Sequence, residues 1–245
     1  MTALIELDDL TIGWGDFVLM KDVNLTIEAG EIFVILGGSG CGKSSLLRHI
    51  IGLEAPMGGQ IRVRGYDGDT HKRPAFGVMF QSGALFGSMT LVENVSLPLS
   101  KWTDLSPEEI DTIARARLRL VNLDGYEHFL PSEISGGMKK RAGIARALAI
   151  ESSMLFLDEP SAGLDPVSAV ELDELILTLN AKLGVTIVLV THELQSIFKI
   201  AHRCIMLDKG HGVIAEGDPR ELRDHSKDER VSNFFNRRTA LGGAS

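Results

Sequence analysis

Cysteine, tyrosine and tryptophan are each present only twice in this 245-residue chain. The two cysteines, Cys41 and Cys204, lie far apart without metal-ligand spacing, so neither a disulfide framework nor a cysteine zinc site is expected. Long apolar runs are also missing. No stretch approaches the roughly 18–20 residues that a membrane-spanning helix requires. The opening MTALIELDDL has no basic segment followed by an apolar one, so no secretory signal is read and the chain is expected in the cytosol. Positive charge is short as well. With 25 Lys and Arg against 33 Asp and Glu, the formal charge is −8, which argues against nucleic acid as the main ligand. The nearest thing to a basic patch, Arg115, Arg117 and Arg119, falls in a predicted helix and reads as a solvated face. There is no solenoid repeat and no low-complexity linker.

What the chain does have is a set of short apolar runs at 32–36, 77–80, 154–157 and 186–190. Runs this short, without polar alternation, suit strands buried on both faces of a mostly parallel sheet. Helical stretches between them point to an α/β layered domain. The N-terminal part differs. Residues 4–12 alternate, and 17–27 read as extended up to the Glu28-Ala29-Gly30 turn, which predicts a small antiparallel sheet beside the core. The region from about 86 to 150 reads as helical. Ser106-Pro107-Glu108-Glu109 combines an N-cap, a proline at the first helical position and a capping-box glutamate, and Ile110, Ile113, Ala114, Leu118 and Val121 follow at helical spacing. Beyond about residue 218 the chain turns polar, and its Gly/Ala/Ser end is expected to be mobile.

The strongest chemical signal is Gly37-Gly38-Ser39-Gly40-Cys41-Gly42-Lys43-Ser44, followed by Ser45. It fits G-x-x-x-x-G-K-[ST] in full, after an apolar strand and before a helical run. Glycines let the backbone turn so that successive N–H groups point at phosphate oxygens, and a helix N-terminus adds partial positive charge. Lys43 is expected on the β- and γ-phosphates of ATP, and the Ser44 hydroxyl on Mg²⁺. Cys41 in this loop reads either as a redox-sensing thiol or as a small filler.

A second strand, 154–157, delivers Asp158 and Glu159 at its C-terminal end, where ligands bind in open α/β sheets. Asp158 is expected to hold Mg²⁺ through its water shell, and Glu159 to orient and deprotonate the attacking water. Neighbouring residues on a strand point to opposite sides, which would give the two carboxylates separate roles. The strand 186–190 ends in Thr191-His192-Glu193. His192 on its own reads as an ordinary partly buried histidine. Beside the other parts it reads as a γ-phosphate contact that keeps the water and Glu159 in register.

These residues together resemble the ATP-binding cassette family, over about residues 4 to 220. The deciding motif is Ile134-Ser135-Gly136-Gly137-Met138-Lys139-Lys140-Arg141 with Ala145-Arg146-Ala147, which is similar to the family signature, although Met138 stands where the family usually has glutamine. By itself it is a Gly-Gly helix start followed by basic residues. The resemblance implies that Ser135, Gly136 and Gly137 bind the γ-phosphate of ATP held by a second copy of the chain in a head-to-tail dimer. It also implies that Gln81 senses Mg²⁺ and couples to a transmembrane permease, and that Ser161-Ala162-Gly163-Leu164-Asp165 crosses the dimer interface. Trp14 stands where the family places a ring on adenine; its alternative is packing on the small sheet. The implied fold is a P-loop NTPase of RecA-like type, with a mostly parallel core, a small antiparallel β subdomain and a helical signature subdomain at about 86–150. Residues 1–220 would form the ATPase domain and 221–245 a tail.

The stretch Val78 to Phe86, the Met138 variant and the Pro131-Ser132-Glu133 approach are similar to the cassettes of Mla-type phospholipid-trafficking systems, whose partners include mammalian-cell-entry (MCE) domain proteins. That likeness implies a peripheral ATPase on the cytoplasmic face of the inner membrane, with 82–99 facing the permease. Other readings are a soluble scaffold ATPase, as in iron–sulfur cluster assembly, and an importer cassette for another small solute. The tail, with Val231, Phe234 and Phe235, reads as a contact to the other subunit or to a small regulatory partner, or as a helix docked on its own domain.

Overall fold

A computed structural model describes residues 2–69, 72–81 and 83–237. Ser82, which opens the stretch expected to face a permease, and the Gly/Ala/Ser end of the tail lie outside the described residues. In chain order the elements are β1 (Ala3–Trp14), β2 (Phe17–Glu28), β3 (Ile32–Gly37), α1 (Lys43–Ile50), β4 (Gly58–Val63), β5 (Phe76–Met79), α2 (Leu91–Trp102) and α3 (Pro107–Leu120). They continue with a 3-10 turn (Pro131–Glu133), α4 (Gly136–Ala147), β6 (Met154–Asp158), α5 (Pro166–Leu183), β7 (Thr186–Val190) and α6 (Leu194–Ile200). The last described elements are β8 (Arg203–Asp208), β9 (Gly212–Gly217), α7 (Pro219–His225) and α8 (Glu229–Phe235). All four apolar runs are strands. Two compact units result, 1–63 with 190–245, and 64–189.

In the first unit β2, β1 and β4 make an antiparallel sheet in that order, the small sheet that the alternation of 4–12 predicts. The β1–β2 register slips beside Asp9 and Asp22, both at positive φ, so bulges bend this sheet. β3 is buried along its whole length and pairs parallel with β8, which pairs antiparallel with β9. Arg203 on β8 pins the group. Its guanidinium donates to Glu31 at 2.8 and 3.0 Å, to Glu216 at 2.7 Å and to the Thr26 carbonyl, and it lies over the Phe33 ring. The described part of the tail packs on this same unit. Val231 and Phe235 are buried, Phe235 lies 5.6 Å from the Phe198 ring of α6, and Arg230 donates to Asp208 at 2.9 Å.

In the second unit β5, β6 and β7 lie side by side, with β5 and β6 parallel. β6 and β7 are wholly buried, as fits strands without polar alternation. α3 starts where the sequence predicts. Ser106 caps α3 in a capping box with Glu109, and Thr90 does the same for α2 with Glu93. Of the predicted α3 stripe, Ala114, Leu118 and Val121 are buried, while Ile110 and Ile113 are half-covered. The arginines are half-covered or exposed and paired: Arg115 with Asp111, Arg117 with Glu151 and Arg119 with Asp124. Among the described residues no helix is long and apolar enough to cross a membrane.

Candidate nucleotide site

The loop 37–42 leaves the buried end of β3 and opens α1. Two glycines are required for physical reasons. Gly42 sits at the helix N-cap with φ 104°, a left-handed conformation in which a side chain is strained. Gly37 has φ 147°, and a Cβ there would lie 2.3 Å from the Leu207 carbonyl oxygen and 2.8 Å from Cys41 Sγ. Cys41 is buried, and burial raises its thiol pKa while the Lys43 charge pulls the other way. This environment fits a filler against Gly37 better than a reactive thiolate. No side chain caps α1, and no acidic residue stands in its first turn. α1 itself therefore supplies no anion to its N-terminal amides and dipole. Lys43 is buried, and its ammonium donates to the Gly37 and Gly38 carbonyls at 3.0 Å each. Gly38, Ser39 and Gly40 are exposed, and Ser44 and Ser45 are half-covered.

In the same unit Trp14 closes β1 at the β1–β2 turn and is 48% exposed, so its ring is not core. It lies parallel to the Phe17 ring, with centroids 6.4 Å apart. Its indole N–H donates to Glu54 at 3.1 Å. Glu54 is also 3.7 Å from both Arg48 and His49 of α1, so one carboxylate ties the Trp14 turn to the helix that carries Lys43. His192 follows β7 and is exposed, its Nε2 3.7 Å from Glu193.

The second unit carries the acids. Asp158 ends β6 and is buried. Glu159 lies past the strand with φ 47°, so the expectation of two adjacent strand residues pointing apart is corrected. The chain turns into the left-handed region at Glu159, which costs a non-glycine residue on the order of 1–2 kcal/mol. β5 and β6 pair parallel with Met79 opposite Leu157, so Gln81 and Asp158 leave the same edge of the sheet. Gln81 is exposed.

The signature residues form a capped helix start. Ser135 is exposed, and its hydroxyl accepts from the Met138 amide at 3.3 Å, opening the 12-residue α4. Gly137 is needed for packing, since a Cβ there would lie 3.1 Å from the Ser168 Cβ. Asp165 caps α5. It accepts from the amides of Val167 and Ser168 at 3.0 Å each and from the Ser168 hydroxyl at 2.6 Å, which holds its carboxyl below the usual range.

Two functional-looking residues escape a reading of the sequence. Lys140 of α4 is buried and donates to the Gln81 carbonyl and, at 3.3 Å, to the Glu159 carbonyl. Glu54 is the other. The available signal for Lys140 is its spacing. Gly137, Lys140, Gly143, Ile144 and Ala147 share one helical face, so a lysine stands on a stripe otherwise made of small or apolar residues.

The class that this arrangement defines is a P-loop nucleotide hydrolase, and comparison with known proteins narrows it. The family model for ABC transporters matches residues 20–162. The protein named "Probable ribonucleotide transport ATP-binding protein mkl" of Mycobacterium tuberculosis is 42% identical over 97% of this chain and 68% of its own length. The spermidine/putrescine import ATP-binding protein PotA of Nitrosomonas europaea is 38% identical over 95% of this chain and 64% of its own. Among solved structures, the ATP-binding cassette MJ0796, as a dimer in a post-hydrolysis state bound to ADP and Pi, is 31% identical with TM-score 0.76, covering 87% of this chain and 98% of that one. CbiO1 from Clostridium perfringens, part of the ABC transporter complex cbiONQ, is 28% identical with TM-score 0.80, covering 94% of each chain. The chain belongs to the ABC transporter family, as an ATP-binding and ATP-hydrolysing cassette.

Proposed function

We propose that the chain powers an inner-membrane transporter of phospholipid, working as a head-to-tail pair of copies from the cytoplasmic face, beside a permease and an MCE-domain protein. The observation that carries its nucleotide chemistry is the 37–44 loop, with an uncapped helix start and a buried lysine bonded to loop carbonyls that phosphate oxygens can replace. Residues 1–220 are the ATPase domain in this reading, with 86–150 as the signature part. The residues from 221 on are a contact to a second subunit or a small regulatory partner, although Val231 and Phe235 are already buried on the chain's own first unit.

The roles follow from chemistry. The amides of 38–45 cradle the α- and β-phosphates, and Lys43 reaches the β- and γ-phosphates. Trp14 stacks on adenine, worth about 1–3 kcal/mol. Glu159 accepts the proton of the attacking water, His192 keeps that water and the γ-phosphate in register, and Gln81 belongs to the catalytic set as the residue that senses Mg²⁺ and couples to the permease. Ser135, Gly136 and Gly137, at the start of α4, bind the γ-phosphate of ATP held by the partner copy, with Asp165 at the crossing loop. The donor set fits Mg²⁺. The Asp158 carboxylate, Gln81 amide oxygen and Ser44 hydroxyl are hard oxygen ligands, and Asp158 and Gln81 leave the same edge of neighbouring strands. When bound, the ion would neutralise phosphate charge, and Ser44, Gln81 and Asp158 are the residues that would hold it.

A second cargo reading is favoured by the names of the relatives, which include importers of polyamine and of methionine. Pull-down of the tagged protein from detergent-solubilised native membranes, with mass spectrometry of proteins and lipids, tests both. Recovery of a permease with an MCE-domain protein and phospholipid is the expected result. A permease with a solute-binding protein and no lipid would replace phospholipid with a small solute. Soluble partners alone would overturn the transporter reading in favour of a scaffold ATPase.

A further inference from the structure

One face of α4 grips the segment that links β5 to the loop after it. Lys140 donates to the Gln81 carbonyl, and Arg146, two turns further on, donates to the carbonyls of Ala84 at 2.6 Å and Gly83 at 3.3 Å. Between them Gly143 lets the helix come close. A Cβ there would already lie 3.2 Å from the Gly83 carbonyl oxygen and 3.1 Å from Met79 Cγ. Lys140 has a second acceptor, the Glu159 carbonyl at 3.3 Å. One buried ammonium thus spans the backbone of two residues, at the exits of two neighbouring strands.

We propose that Lys140 is a positioning residue for ATP hydrolysis, holding the Gln81 and Glu159 backbones so that their side chains meet the same attacking water. This rests on the roles given above to Gln81 and Glu159. The physical argument has three steps. First, Glu159 sits at positive φ, so its side-chain direction depends on what holds the peptide that follows it, and its own carbonyl is the group that Lys140 takes. Second, Gln81 is exposed and its side chain lacks a packed bed, so its backbone must fix it. Third, a lysine buried to 7% exposure loses hydration, and its bonds to the two carbonyls replace part of what is lost. A neutral side chain would avoid the loss altogether. Three donors on one tetrahedral centre are what let a single residue serve two carbonyls at once. Its own contact is with backbone, and it acts on the reaction only through Gln81 and Glu159.

The test is steady-state ATPase kinetics and equilibrium Mg-ATP binding for Lys140→Met, Lys140→Gln and Lys140→Arg, with Glu159→Gln as reference and thermal melts alongside. Displacing a catalytic group by about 1 Å can cost 10²-fold. Lys140→Met is therefore expected to lower kcat by about 10- to 100-fold with KM and Kd for ATP within about twofold, and Lys140→Arg to recover most of the loss. If Lys140→Met does not fold, Lys140→Gln decides, with a smaller kcat loss and the same unchanged Kd. Wild-type kcat in Lys140→Gln and Lys140→Met, or equal losses in binding and turnover, overturns the proposal. So does an arginine variant as impaired as the methionine one. Wild-type turnover in Glu159→Gln would instead overturn the site assignment, which separates the two failures.

Discussion

Gly77→Ala is the sharpest structural test of how the second unit is built. Gly77 has ordinary negative φ, so nothing in its backbone asks for glycine. What asks for it is α4. A Cβ on Gly77 would lie 2.1 Å from the Ala147 carbonyl oxygen, 2.6 Å from its carbon and 3.0 Å from the Ala147 Cβ. Carbon–oxygen contacts settle near 3.3 Å even when weakly bonded, so helix and strand must part by about 1 Å. The nearest of these atoms belong to backbone, and no change of rotamer relieves them. Overpacking of side chains costs about 1–3 kcal/mol, and a backbone-on-backbone clash belongs at or above the top of that range. For a chain of 150–250 residues, 1 kcal/mol moves the melting midpoint by about 2–4 °C, so a fall of about 6–12 °C is expected.

Calorimetry of the nucleotide-free protein reads this directly, with Gly87→Ala as control. Gly87 is exposed and has nothing within 4 Å of an added Cβ, so its variant should melt within about 2 °C of wild type. Parting α4 from β5 also lengthens the Lys140 bond to Gln81, so turnover in Gly77→Ala should fall further than the melt alone explains at a temperature well below its midpoint. A Gly77→Ala protein that melts within 2 °C of wild type would refute the packing argument.

Other outcomes follow from the same geometry. Glu159→Gln should keep ATP binding while lowering kcat by about 10²–10⁴, the usual worth of a general base; near-normal turnover removes Glu159 from that role. Ser135→Arg should leave nucleotide binding by a single copy intact and abolish hydrolysis, because the exposed start of α4 would carry a bulky cation; full activity there contradicts the head-to-tail pair. Cys204 gives a pH test, since burial pushes its thiol up to about 12. Above the unfolded thiol value of about 8.5, the unfolded chain has lost a proton that the folded chain keeps, so stability falls by about 1.4 kcal/mol per pH unit until about 12. Urea unfolding at several pH values from 8 to 10.5 should show a shallower decline for Cys204→Ala than for wild type, and equal slopes would rule the thiol out.

The sequence is legible where chemistry leaves few choices. The 37–44 loop is readable because close backbone approach demands glycine, and Gly37 and Gly42 meet that demand. The buried strands are readable because uniform apolar runs have nowhere else to go, and the Ser106 cap because its bonds are local. Less was visible where the fold decides. β4 and β9 carry little signal of their own, since Gly58–Val63 is largely exposed and Gly212–Gly217 is mostly half-covered. β8, by contrast, holds the short apolar run 204–207 between two charged residues and belongs with the readable strands. Glu159 looks like a strand residue because the apolar run before it is a strand, yet the strand ends at Asp158 and Glu159 takes φ 47°. Trp14 could be read either as core or as exposed ring, and the bulged β1–β2 hairpin settles that it is exposed.

A deeper blind spot concerns bonds to backbone carbonyls, because any residue supplies one and no motif records it. Lys140 ends on Gln81 and Glu159, Arg146 on Gly83 and Ala84, Arg73 on Ile150, Arg203 on Thr26 and Arg220 on Phe198. This distinction separates side chain from backbone by experiment. Gln81→Ala removes the amide but leaves the carbonyl that Lys140 holds, so the variant should keep the wild-type melting midpoint while losing turnover. If Lys140 works by positioning, part of its effect passes through that amide. The kcat loss from Lys140→Met should then be smaller in the Gln81→Ala background than in wild type, with the remainder carried by Glu159. A double-mutant cycle reads the coupling, and values above about 0.5 kcal/mol mark connected sites. Strictly additive losses would mean that Lys140 serves turnover by another route.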